Sequence, residues 1–177
     1  MLLAPRLPTT GWQLRFTLDG VVTFLSEPTA SKSASLYSQI FRNGAIEHAD
    51  REVMVWNGPG IVRAVAVEMD ILGATWKLLR VFNYLGILPP YYIFPSLLNV
   101  RGLKLKHCPG AMYGDETRVI EHEHLMLPEV LIEDPTAELD QLFRPTFDVL
   151  WNSCGWPRSL IYDRAGKYEV DWKQHCG

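Results

Sequence analysis

The sequence predicts an α+β fold, in which short, mostly antiparallel strands and hairpins pack against one long helix and a Pro-kinked C-terminal helix. Three observations predict it. Asp19-Gly20 and Asn43-Gly44 each separate two short runs rich in β-formers. Residues 60–86 repeat apolar side chains at three- and four-residue steps, the period of a helix with one buried face. A strand-rich middle is followed by a second helical stretch that contains Pro145.

Taken in order, "WQLRFTLDGVVTFL" reads as a hairpin, because Asp-Gly accepts the positive φ angles of a two-residue primed turn. The small polar run "SEPTASKSAS" is a surface connector. Leu36 to Phe41 and Ala45 to Ala49 flank Asn43-Gly44 and form a second hairpin, with Arg42 and Ala45 closing a two-residue turn. "VMVWNGPG" is a strand running into a break, followed by the helix over 60–86. On that helix Val62, Val65, Met69, Leu72, Trp76 and Leu79 share a stripe. Gly86 is its C-terminal stop, with Pro89-Pro90 beyond.

"YYIFPSLLNVRGLKLKHC" is one long or two short strands bent at Asn99 to Gly102, and "TRVIEHEHLMLPEVLIED" supplies two more. Asp134 or Thr136 caps a helix from Ala137 to about Cys154, kinked or restarted at Pro145. A polar tail over 163–177 turns at Ala165-Gly166.

The 177 residues suit a single globular domain over 1–177, with a flexible segment at 1–11. A hydrophobic share of 47% against 21% charged residues is that of a folded globular chain. The formal charge of −3 argues against autonomous DNA binding, which needs clustered Lys and Arg to neutralise phosphate. Cys108, Cys154 and Cys176 are odd in number and widely spaced, which suits a reducing compartment. Pro5, Arg6 and Pro8 interrupt the start, so no signal peptide is read there. No stretch approaches the roughly 20 apolar residues of a membrane span. The expected location is the cytoplasm, with no membrane partner.

Candidate sites are few. His122 and His124 in "EHEH" would share one face of a strand, and His107 or Cys108 would complete a metal site; a solvated strand face explains the same pattern. "WNGPGIV" resembles a helix entry that binds anions, but its glycine spacing fits neither the phosphate loop nor the dinucleotide fingerprint. Cys154 at a helix C-terminus lacks the field that activates a thiolate, and is read as a packing residue. Arg101, Lys104 and Lys106, with Arg118, form a basic strip that suits phosphate or protects an edge strand. "PPYY" matches a WW-ligand pattern, but burial of one tyrosine explains it better.

"YSQIFRNGAIEHAD", "LPPYYIFPSLLNVRGLKL", "LMLPEVLIEDP" and "LFRPTFDVLWNSCGWPRSLIYDRAGKY" together resemble the C-terminal region of bacterial proteins that carry an AlbA_2 (Schlafen AlbA-like) DNA-binding domain. The likeness runs from about Thr17 onward and covers none of the AlbA_2 domain itself. It implies a cis or trans N-terminal AlbA_2-type partner that would hold the nucleic-acid or nucleotide function. It also singles out Phe41, Arg42, Asn43, Gly44, Ile46 and Glu47. Arg42 and Glu47 would pair across the hairpin, and Arg42, Asn43, Gly44 and Glu47 would touch a ligand or partner.

The expected function is a non-enzymatic accessory or protein-interaction domain of an AlbA_2-type regulatory or defence protein, without a cofactor. Trp151, Trp156, Tyr162 and Trp172 would form an aromatic surface for that partner or for a second copy. Two alternatives stand beside it. One is a nucleic-acid module using Arg42, Arg101, Lys104 and Lys106; the other is a metal-dependent hydrolase using His107, His122 and His124.

Overall fold

A computed structural model describes residues 13–26, 34–51, 60–106 and 118–175. The expected flexible start, most of the polar connector, the strand before Gly60, His107, Cys108 and Cys176 lie outside the described residues. The chain divides into two compact units, Met1–Val53 and Met54–Gly177. With its helices and mostly antiparallel strands, the fold is α+β.

The first unit is an antiparallel meander. Strands β1 (Gln13–Phe16), β2 (Gly20–Ser26), β3 (Ala34–Phe41) and β4 (Ile46–Asp50) lie side by side in chain order. Both expected hairpins are present, and both turn differently from the two-residue Asp-Gly and Asn-Gly forms. Thr17 and Gly20 exchange backbone bonds around Leu18 and Asp19, so the first turn is shifted one residue toward the N-terminus. In the second, the Phe41 N–H bonds to Ala45 O at 2.8 Å and the Gly44 N–H to Phe41 O at 3.0 Å. Arg42, Asn43 and Gly44 thus form a three-residue loop, with Gly44 at φ 87° as the left-handed residue that closes it. The Asn43 carboxamide oxygen accepts the Ala45 N–H at 3.0 Å, which holds Asn43 at a negative φ where a primed turn needs a positive one.

The second unit is built around helix α1 (Ala64–Leu85). It starts later than the sequence predicts, because Ile61–Arg63 is a strand, β5, paired in parallel with β8 (Lys104–Lys106). Gly86 ends α1 as expected: at φ 71° it turns left-handed, its N–H bonds to Asn83 O, and the Ile87 N–H reaches Phe82 O. That is the paired bonding of a Schellman stop. The buried face of α1 runs through Val65, Glu68, Leu72, Thr75 and Leu79. Met69 and Trp76 of the expected stripe are only half-buried, and Arg80 stacks on the Trp76 ring at 4.7 Å.

Beyond α1 the chain forms a bent ribbon. Strands β6 (Tyr91–Ile93) and β7 (Ser96–Leu98) run up one side. After β9 (Arg118–Val119), which pairs with β8, strands β10 (His124–Met126) and β11 (Val130–Ile132) return along the other side. β10 pairs with β7 and β11 with β6, both antiparallel. The bend at Asn99 to Gly102 is confirmed by positive φ at Asn99 and Gly102. Alternation buries Tyr91, Leu97, Leu125, Val130 and Ile132 on one face. Tyr91 is buried and Tyr92 exposed, so "PPYY" holds one core tyrosine as expected.

Helix α2 (Leu139–Asn152) covers the inner side of β11 and packs against α1. It begins at the Glu138 cap without a side-chain bond, while the Asp134 carboxylate binds Thr136 in a turn just before it. The helix continues through Pro145 with no restart there. Phe143, Phe147, Leu150 and Trp151 form its core face. The C-terminal segment folds back instead of trailing as a polar tail. Tyr162 and Tyr168 bridge around the expected turn at Gly166, and Trp172, in a 3-10 helix (Trp172–His175), packs against α1.

Candidate functional site

The loop at Arg42 is bonded to the turn beside it. Adjacent antiparallel hairpins bring the β1–β2 and β3–β4 turns to one end of the meander. There the Arg42 N–H donates to Asp19 O at 2.8 Å and its Nε donates to Leu18 O at 2.9 Å. The expected Arg42–Glu47 pair does not form. The three-residue loop places Glu47 opposite Gln39, where its carboxylate instead accepts the Tyr37 hydroxyl. That bond, with the carboxylate charge beside it, pushes the Tyr37 phenol up to about 12. Across the same sheet, Ser38 Oγ lies 2.8 Å from His48 Nδ1, with Ser38 buried.

The basic strip is divided. Lys104 and Lys106 share a face of β8, opposite the buried Leu105, and β8 is the middle strand of its sheet. Edge protection therefore does not explain them. Register adds a residue the sequence did not single out: Arg63 of β5 stands beside Lys106. Arg101 turns away to Glu121 O at 3.2 Å and lies 3.6 Å from the Glu123 carboxylate. Arg118 donates to Gly155 O at 2.9 Å and stacks on the Trp156 ring at 4.6 Å. Arg42 belongs to the other unit.

The histidines separate as well. His124 is in β10, while His122 precedes the strand, so one strand does not project both to one face. The Asn99 N–H donates to His124 Nδ1 at 3.2 Å, which ties that ring to the left-handed bend. Among the described residues, no group of three or more His, Cys, Asp or Glu side chains could hold a metal ion. Of the Gly-Pro-Gly stretch, Gly58 and Pro59 lie outside the described residues; Gly60 leads into β5, with the α1 N-terminus beyond that strand, so Gly60 is not a helix entry. Cys154 is buried, and that burial pushes its thiol up, as a packing residue requires.

The expected aromatic surface is mostly interior. Trp151, Tyr162 and Trp172 are buried and Trp156 is half-buried beneath Arg118, because the C-terminal segment folds back onto α1 and α2. At their centre is a group that periodicity alone hides. Glu68 occupies a core position of α1, fully buried. Its Oε1 accepts the Trp151 Nε1–H at 2.7 Å and the Ser159 hydroxyl at 2.8 Å. The Tyr168 hydroxyl faces the same carboxyl without the geometry of a full hydrogen bond, so it and Glu68 Oε2 are both buried without a partner. Burial outweighs these donors and pushes the acid up to about 7. The signal available in the sequence was Glu68 itself, a carboxylate at the spacing of Val65, Leu72 and Leu79.

No family model, no curated protein and no solved structure matches the chain. Among the described residues, no helix is long and apolar enough to cross a membrane.

Proposed function

We propose that the chain is a non-enzymatic accessory domain that binds another protein, an AlbA_2-type domain in the same or another chain of a cytoplasmic bacterial regulatory or defence system. The outer face of the β6–β7/β10–β11 ribbon carries this reading. Tyr92, Phe94, Leu98, Met126 and Leu131 are all exposed there, Phe94 by 70% and Met126 by 74%. Tyr92 sits directly across from Leu131, and Met126 from Ser96, so the side chains follow one face of the ribbon. Exposed apolar side chains gathered on one face mark surfaces that other proteins cover, and aromatic residues and Met are enriched in interface cores. The buried aromatics that were expected to serve instead hold the unit together.

The test joins native mass spectrometry and elemental analysis of the untagged chain with calorimetric titration against an AlbA_2-type domain. Saturable binding by a metal-free chain is expected, weakened about tenfold or more by Phe94→Ser with Met126→Ser while the melting curve is kept. Absence of binding, or binding that ignores both substitutions, overturns the proposal; a stoichiometric metal directs attention to His122 and His124.

A further inference from the structure

We propose that Glu68 is a proton-operated latch that fastens the C-terminal segment, residues 159–172, onto helix α1. Three elements converge on its carboxyl: α2 brings Trp151, the loop after α2 brings Ser159, and the returning chain brings Tyr168. In the acid form the enclosure holds no charge. The carbonyl oxygen Oε1 accepts from Trp151 and Ser159, and the Oε2 hydroxyl faces the Tyr168 hydroxyl, the two buried atoms that lack other partners. On ionisation that contact is kept only with the phenol as donor, and the carboxyl becomes a buried charge.

In the ionised form the same enclosure holds a charge, and among the described residues no cation pairs with it. The charged groups around the cluster are mostly acidic. Asp148 and Asp140 of α2 add negative potential, and Arg144 of α2 is drawn to the Tyr162 ring, 5.3 Å from its centre. From the returning segment, the phenols of Tyr162 and Tyr168 are pushed above the usual range by burial and by Glu68. A buried unpaired charge is relieved most cheaply by admitting water. The segment is the part that yields. It supplies two of the three groups that face the carboxyl, and is otherwise tied by bonds such as Ser159 N–H to Asp148, Tyr162 hydroxyl to Asp140 O, and Gln141 to Gly166 O. Helices α1 and α2 pack directly against each other, and each carries fully buried apolar side chains, Leu72 on α1 and Phe143, Phe147 and Leu150 on α2, a packed interior that opens at greater cost.

The experiment is hydrogen exchange of the full chain, corrected for intrinsic rates, at about pH 5.5 and about pH 8.5, either side of the carboxyl's titration. Protection of amides in 159–172 is expected to fall about tenfold or more at the higher pH, with the α1 amides changing less. Glu68→Gln keeps an acceptor for Trp151 and Ser159 and a donor for Tyr168, so its protection should be equal at both values. Wild-type protection independent of pH, or a Gln variant that follows the wild type, overturns the latch. Should that variant not fold, infrared spectra of the wild-type chain decide: a protonated-acid carbonyl band present at the lower pH and lost at the higher supports the latch, and its absence at both overturns it.

Discussion

Gly20 begins β2 where the carbonyl of Ile40 comes so close that an added Cβ would sit 1.9 Å from its oxygen. Backbone on both sides leaves nothing to give, so Gly20→Ala should cost about 3 kcal/mol or prevent the meander from forming, read by urea unfolding. Gly44 contrasts with it. A Cβ there meets open space, and only its φ of 87° opposes substitution, so Gly44→Ala should cost about 1 kcal/mol in the same assay. Glu68 shows what pairing does not reveal. Its acid is raised from 4.5 to about 7, so between those values the folded chain holds a proton that the unfolded chain has released. The stabilisation is fully present below pH 4.5, declines as pH rises, and is gone above about 7, a loss on the order of 3 kcal/mol. Urea midpoints across that window should show this decline in wild type and not in Glu68→Gln.

Elements were legible wherever a rule acts over a few residues. The Gly86 stop, the bend at Asn99 to Gly102 and the turn at Gly166 all lie where the sequence predicts them, because each depends on left-handed φ at a residue that tolerates it. Asn43-Gly44 misled in its detail. The pair does mark the hairpin, but the Asn43 side chain bonds Ala45 and makes the loop one residue longer, which moves Glu47 away from Arg42 and onto Tyr37. Pro145 is the exception among breakers, since α2 runs through it. Its ring is exposed and its missing N–H removes one helical bond, so Pro145→Ala should stabilise the chain by about 1–3 kcal/mol in thermal or urea unfolding.

At the scale of the whole molecule, the two units differ in what holds them. The meander buries Thr23, Ser35 and Ser38 among its described residues, with exposed Leu14 and Phe16 on its edge strand. The second unit contains the fully buried cluster of Val62, Leu72, Leu105, Ile132, Phe143, Phe147 and Leu150. Residues 54–177 expressed alone should therefore fold and unfold cooperatively, with the Glu68–Trp151 bond reported by near-ultraviolet circular dichroism; a molten spectrum would count against it.

By itself the sequence determined the α+β class, the ends of the helices to within a few residues, and the burial of one tyrosine of "PPYY". Each follows from local sterics or from a period of apolar residues, and both are written along the chain. Only the tertiary structure decided that Ile61–Arg63 leaves the helix to pair in parallel with Lys104–Lys106, a partner some forty residues away. It also decided that Trp151, Tyr162 and Trp172 are core rather than surface, and that Glu68 is enclosed with them. An aromatic side chain suits an interior or an interface equally well, and a carboxylate reads as solvent-facing until its donors are known. Those donors stand 83 and 91 residues away, at Trp151 and Ser159, and only the folded chain brings them to it.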